Sequence, residues 1–163
     1  MKALDIATIV LAHSDNTGDL VTNKKLQKLL YYIEAWSQAY DMSLIDDNFE
    51  AWVHGPVVPA VYHEYKRFGY APIVTSYAPG ESSSQRLGKL LSSPDLTSEQ
   101  KDILFAVLEQ YSPMSSYQLE QLSHKEQPWI EAREGCGPVD HCSESISKDT
   151  MRRFYKSLLN VEA

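Results

Sequence analysis

The sequence predicts a mainly α protein: a compact helical bundle with at most a small two-stranded β element. Three observations predict it. Apolar residues recur every three or four positions in several separate segments, which is the period of a helix face. Only two short runs, Phe49 to Val53 and Ile73-Val74, carry the aromatic and β-branched types that suit strands. Hydrophobic residues make up 43% of the 163 residues, enough to close one core and too many for a disordered chain. Residues 1–163 read as a single domain without an internal repeat.

The first helix is expected over Ala3 to His13, with apolar residues at Ile6, Ile9 and Val10. Ser14 to Asp19 follows as a polar turn containing Gly18. Thr22 offers a hydroxyl cap to a second helix over Asn23 to Tyr40. There Leu26, Leu29, Leu30, Ile33, Trp36 and Tyr40 share one face, which should be buried. At about 100° per residue, Tyr31 points to the opposite side and Tyr32 lies near the edge of the stripe. On this reading both tyrosines cannot be ordinary core residues of that helix.

Phe49 to Val53 is extended, and Gly55-Pro56 breaks it. Trp52 and His54, alternating with Val53, should share one face. Val57 to Phe68 forms a third helix with Pro59 in its first turn, and Gly69 ends it. Pro72 to Ser93 reads as a long Ser-, Gly- and Pro-rich loop. Thr97 to Gln100 carries capping chemistry for a helix running to Tyr111. Ser115-Ser116 caps a short helix bearing Leu119 and Leu122. Pro128-Trp129-Ile130 opens a helical turn ending near Arg133, because Pro128 holds Gln127 extended. Gly135 to Ser145 is irregular. Ser147 caps a last helix through Met151, Phe154, Tyr155, Leu158 and Leu159.

The formal net charge of −7 disfavours nucleic acid, which is bound largely through neutralised phosphates. It suits a partner with a basic face, or simply solubility. No apolar run is long enough to span a bilayer, and the N-terminus reads as an amphipathic helix rather than a secretion signal. A cytoplasmic location and no membrane partner are therefore expected. Cys136 and Cys142 lie in one polar loop, and free thiols are expected there.

Common catalytic patterns are missing from the sequence. His63-Glu64 lacks the second histidine of a zinc-protease helix, and there is no Gly-rich phosphate loop or nucleophile elbow. Cys136, His141 and Cys142 offer three zinc ligands, but their spacing fits no common knuckle and a fourth is missing. A Cys–His nucleophile pair, from Cys136 or Cys142 with His124 or His54, would need tight geometry that sequence does not supply. Neither a metal nor a cofactor is expected. Trp129 reads as a core anchor of a helix–stop–helix corner, while His124 either braces a polar network or caps carbonyls.

Four stretches occur together: Lys25-Leu26-Gln27-Lys28-Leu29-Leu30-Tyr31-Tyr32, Ala51-Trp52-Val53-His54-Gly55-Pro56-Val57, Tyr62, and His124-Lys125-Glu126-Gln127-Pro128-Trp129. In this order they resemble the Panacea antitoxin domain, also called the SocA-like or GepA-like phage-associated domain, over roughly positions 4 to 160. The resemblance implies the antitoxin half of a toxin–antitoxin or phage-defence pair, without enzymatic activity. The implied partner is a cognate toxin protein encoded nearby, in a homo- or hetero-oligomer, neutralised by direct contact. At least one relative instead delivers its toxin to a protease. Lys25, Leu26, Gln27, Lys28, Leu29, Leu30, His124, Glu126, Pro128 and Trp129 are then scaffold positions. Tyr31, Tyr32, Trp52, His54, Gly55 and Pro56 are candidate partner-binding positions, and none is carried over as catalytic.

Two other classes compete. A DNA-binding regulator of its own operon would need Ser115 to Arg133 to act as a helix-turn-helix, but its second helix is short and contains Pro128. A small hydrolase would use His54, His124 and a carboxylate such as Glu126.

Overall fold

A computed structural model describes residues 1–162, with side chains through Asn160. It contains eight α-helices and one two-stranded sheet. The helices are α1 (Ala3–Thr17), α2 (Asn23–Ala39), α3 (Pro59–Tyr65), α4 (Ser83–Leu91), α5 (Ser98–Tyr111), α6 (Ser116–His124), α7 (Gln127–Ala132) and α8 (Lys148–Glu162). The strands β1 (Glu50–Trp52) and β2 (Gly55–Val57) form a hairpin, and a 3-10 turn, Lys66–Phe68, extends α3. The predicted mainly helical bundle with a minor sheet is the observed architecture. No helix among the described residues is long and apolar enough to cross a membrane.

The centre of the molecule is α2. Helices α8, α5, α6 and α1 pack around it, together with β2. Leu26, Leu29, Leu30 and Ile33 are fully buried, as the helical stripe predicts. The opposite side is buried too: Tyr31 and Tyr32 are both 0% exposed. This corrects the expectation that the two tyrosines cannot both be core. An amphipathic wheel presumes one wet side, and α2 has none for most of its length. Trp36 is only half-buried, and Tyr40, which follows the last helical residue, is exposed, although Ser37, Gln38 and Ala39 between them are buried.

Glu34 secures the exit from α2. Its buried carboxylate accepts hydrogen bonds from the backbone N–H groups of Leu44 (3.0 Å) and Ile45 (2.6 Å), and from the side chains of Gln38 and Ser43. This satisfies the backbone of the returning loop and lets Leu44, Ile45 and Phe49 enter the core.

Several boundaries differ from the sequence reading. α1 runs four residues beyond His13, because Ser14 turns inward and bonds the Val10 carbonyl, and Gly18 at φ 80° ends it instead. Gly55-Pro56 does not break the extended segment but begins its partner strand. Val53 and His54 are the two-residue loop, and Trp52 pairs with Gly55. Ile73-Val74 is not a strand; the Ile73 N–H bonds the Val21 carbonyl at 2.8 Å beside an isolated Thr22–Pro72 bridge. The expected long loop contains α4, which docks on α1 through Leu87. Ser82 and Gln85 close a reciprocal capping box at its start, as Thr97–Gln100 and Ser115–Gln118 do for α5 and α6.

Candidate functional site

The two leading motif segments prove to be a single structural unit. From α2, the Gln27 side-chain oxygen accepts the Val58 N–H at 2.9 Å, and its amide donates to Asn23. One residue on, the Lys28 Nζ donates to the Pro56 carbonyl at 3.4 Å. Lys25 reaches the other way and donates to the Ser112 carbonyl after α5. Together, α2 holds the hairpin by its backbone, which makes Lys25 to Leu30 scaffold in the physical sense.

Behind them lies a buried aromatic group. Tyr32 stacks on Tyr111 at 4.2 Å and meets Tyr31 and Tyr155 edge-on. Trp36 Nε1 donates to the Tyr111 hydroxyl at 2.9 Å. Glu126 accepts from Tyr32 (3.1 Å) and from Tyr155 (2.7 Å). Burial pushes the Glu126 carboxyl up to about 7, against the lowering effect of the two hydroxyls. The same burial, with Glu126 next in weight, raises the Tyr32 hydroxyl. Tyr31 lies against Phe49 and its hydroxyl is deep in this group, so its burial leaves no surface for a partner. Tyr32, Gly55 and Pro56 are buried likewise. Of the candidate contact positions, only Trp52 and His54 reach solvent.

The third motif block braces the hairpin from outside. His124 stacks on Trp129 at 4.0 Å, and Trp129 Nε1 donates to the Trp52 carbonyl at 3.0 Å. Trp129 is half-buried and packs against the core from its edge, with the Arg133 guanidinium 5.3 Å from its ring. Arg133 itself donates to the carbonyls of Ala51, Gly137 and Asp140, tying β1 to the loop after α7. In that loop Cys136 and Cys142 form a disulfide, which corrects the expectation of free thiols. The two residues lie only six apart, and the Arg133 contacts fold the intervening loop back on itself. The bond occupies both sulfurs, so neither a thiol–histidine pair nor a thiolate metal site is available in this form.

The open surface of this unit is a cleft of about 660 Å³. Its floor is α2, through Lys24, Gln27 and Lys28. Its walls are the hairpin and α3, through Trp52, His54 and Tyr62, and Val139 and His141 of the disulfide loop close one side. Trp52 and Tyr62 meet edge-to-face at 4.9 Å. Beside the cleft, His54 Nδ1 lies 2.7 Å and Lys24 Nζ 3.1 Å from the same Glu120 oxygen. Burial pushes the Glu120 carboxyl up, but its two partners outweigh this and hold it below the usual range. Lys28 is 1% exposed, and burial, aided by Lys24 and opposed by Glu120, pulls its ammonium down to about 7.

The hydrolase arrangement is not assembled. His54 turns to Glu120, while Glu126 faces tyrosines and His124 faces Trp129. Sequence reasoning missed Glu120, Lys24 and Lys66, and it considered His141 only as a metal ligand. The one available signal was Glu120 standing one helical turn before His124, on the face that meets the hairpin.

The family model of the antitoxin SocA-like, Panacea domain matches residues 26–130. That span runs from the first motif block through Trp129, and the chain belongs to this family. No curated protein and no solved structure matches it.

Proposed function

We propose that this Panacea-domain protein is a non-enzymatic antitoxin that neutralises a cognate protein toxin, encoded nearby, by direct contact. Family membership carries the reading. The burial pattern supports it: the motif residues build the scaffold, and the rim of the cleft leaves aromatic side chains at the surface. Trp52 is half-buried there, and Tyr70 is 98% exposed. Exposed aromatic residues of this kind are enriched among interface hot spots. We place the partner surface at Trp52, His54 and the adjoining rim, without Tyr31, Tyr32, Gly55 or Pro56.

The regulator reading has less support. The second helix of the would-be DNA reader, α7, has six residues and opens with Pro128 near its start. Co-expression with the neighbouring reading frame tests the proposal. Restored growth, with a complex that co-purifies, supports neutralisation by contact. Restored growth that requires an intact host protease, with the toxin lost from the cell, supports delivery instead. No rescue, together with a specific gel shift on its own promoter, would replace the proposal with the regulator.

A further inference from the structure

The cleft at Trp52 and His54 has a charge opposite to that of the chain. The protein carries a formal −7, yet Lys24, Lys28 and Lys66 line this cleft together with His54 and His141, and no carboxylate lines it. Glu120 stands behind and is already shared by Lys24 and His54. Lys28 at the floor makes no ion pair among the described residues; its hydrogen bond is the long one to Pro56. A buried ammonium normally has an anionic partner, because leaving water uncompensated is costly. The walls are of another kind: Trp52, Tyr62 and Tyr70 line it with aromatic side chains, Trp52 and Tyr62 edge-to-face, and Val139 adds an apolar side. The volume of about 660 Å³ lies in the range of small-molecule sites.

We propose that this cleft binds a nucleoside phosphate, with the phosphate at Lys28 and Lys24 and the base against the Trp52 and Tyr62 rings. Three lysines lining one cleft favour a multiply charged phosphate over a single carboxylate. Aromatic rings accept any base by stacking, and the Asn23 and Gln27 amides are already committed to Tyr62, Val58 and each other, so little base selectivity is expected. Binding should draw a proton onto Lys28, since an anion restores the ammonium that burial disfavours. The groups facing that ammonium are Lys24 and Glu120, with His54 and His124 beyond. The ligand would share the Trp52 wall with the proposed partner surface, but its binding is measured on the purified chain without a toxin, so either reading can fail while the other holds.

The test is isothermal titration of the purified chain with AMP, adenosine, inorganic phosphate and benzoate, in buffers of different ionisation heat. AMP should bind tighter than each of the other three by about tenfold or more, with uptake of protons. Lys28→Met keeps the buried stem and removes the charge; it should weaken AMP by about tenfold or more while the melting temperature does not fall. No AMP binding at about 1 mM would overturn the proposal. Equal affinity for adenosine would remove the phosphate's role, equal affinity for benzoate would make this a carboxylate site, and unchanged affinity in Lys28→Met would move the ligand elsewhere. Each of these overturns it.

Discussion

The α-carbon of Gly55 rests on the side chain of Lys28. A Cβ at Gly55 would stand 2.5 Å from Lys28 Cε and 3.0 Å from Ser123 Oγ, and Gly55 itself adopts φ 109°. Both facts require glycine there: one for space, one for backbone conformation. Two motif segments well separated in sequence therefore depend on each other through this contact, besides the Gln27 and Lys28 hydrogen bonds. Gly55→Ala should destabilise by about 1–3 kcal/mol. Shortening the lysine should relieve the crowding, so Gly55→Ala/Lys28→Ala should lose less than the two single changes added together. A double-mutant cycle by chemical denaturation reads this; strict additivity would mean that Gly55 answers only to its own backbone angle.

Tyr31 and His54 should behave oppositely. Tyr31 is fully buried among Tyr32, Phe49 and Tyr155, so Tyr31→Ala should cost about 3–5 kcal/mol, like other large aromatic truncations. The His54 side chain is 70% exposed, and loss of its contact to Glu120 should cost at most about 1 kcal/mol. If the partner docks at the hairpin, His54→Ala should impair rescue while the melt stays nearly unchanged. A His54→Ala variant that rescues fully, beside a Trp52→Ala variant that folds and also rescues, would move the partner surface elsewhere.

The helix-forming segments were legible because their apolar spacing and Ser/Thr caps are local properties. Thr22, Thr97 and Ser115 cap the helices expected of them. α4 was not read, because Ser82 to Arg86 is polar and its Leu87, Leu90 and Leu91 come late, although the Ser82–Gln85 capping box was present in the sequence. Tyr31 was misplaced because the wheel of one helix says nothing about how many neighbours surround it. His54 was assigned to a strand face, yet it occupies a two-residue turn, because the pairing of β1 with β2 is a tertiary fact. The Glu120–His54 and Glu126–Tyr155 contacts span 66 and 29 residues, beyond any local pattern.

The disulfide closes a short loop beside the cleft. By the chain-entropy account, a loop of this size contributes about 2 kcal/mol. Thiol titration of the native oxidised protein should find no free thiol and, after reduction, two. Cys142→Ser should lower the melting temperature under non-reducing conditions, and dithiothreitol should bring the parent protein to about the same value. A melt indifferent to reductant would show that Arg133 holds the loop by itself through Gly137 and Asp140.

Glu126 and Lys28 should give stability opposite dependences on pH. Burial raises the Glu126 carboxyl to about 7, so the fold binds this proton more tightly than the unfolded chain does. Its contribution is complete below the ordinary carboxyl value of 4.5 and is lost as pH rises through 7. Glu126→Gln keeps an acceptor for Tyr32 and Tyr155 and cannot ionise. Its stability relative to the parent should climb from pH 5 to pH 8, by on the order of 3 kcal/mol at most. Lys28 is the mirror case. Burial lowers its ammonium from 10.5 to about 7, so the fold binds that proton less tightly. Its contribution is complete above 10.5 and is lost as pH falls through 7. Lys28→Met should therefore gain most over the parent at pH 6 and least near pH 10, a difference on the order of 4 kcal/mol at most. Melts of each variant minus the parent cancel the other titrating groups, including His13 and His124, which burial lowers. Curves parallel to the parent from pH 5 to pH 10 would show that water reaches both groups and that neither is held in the dry interior.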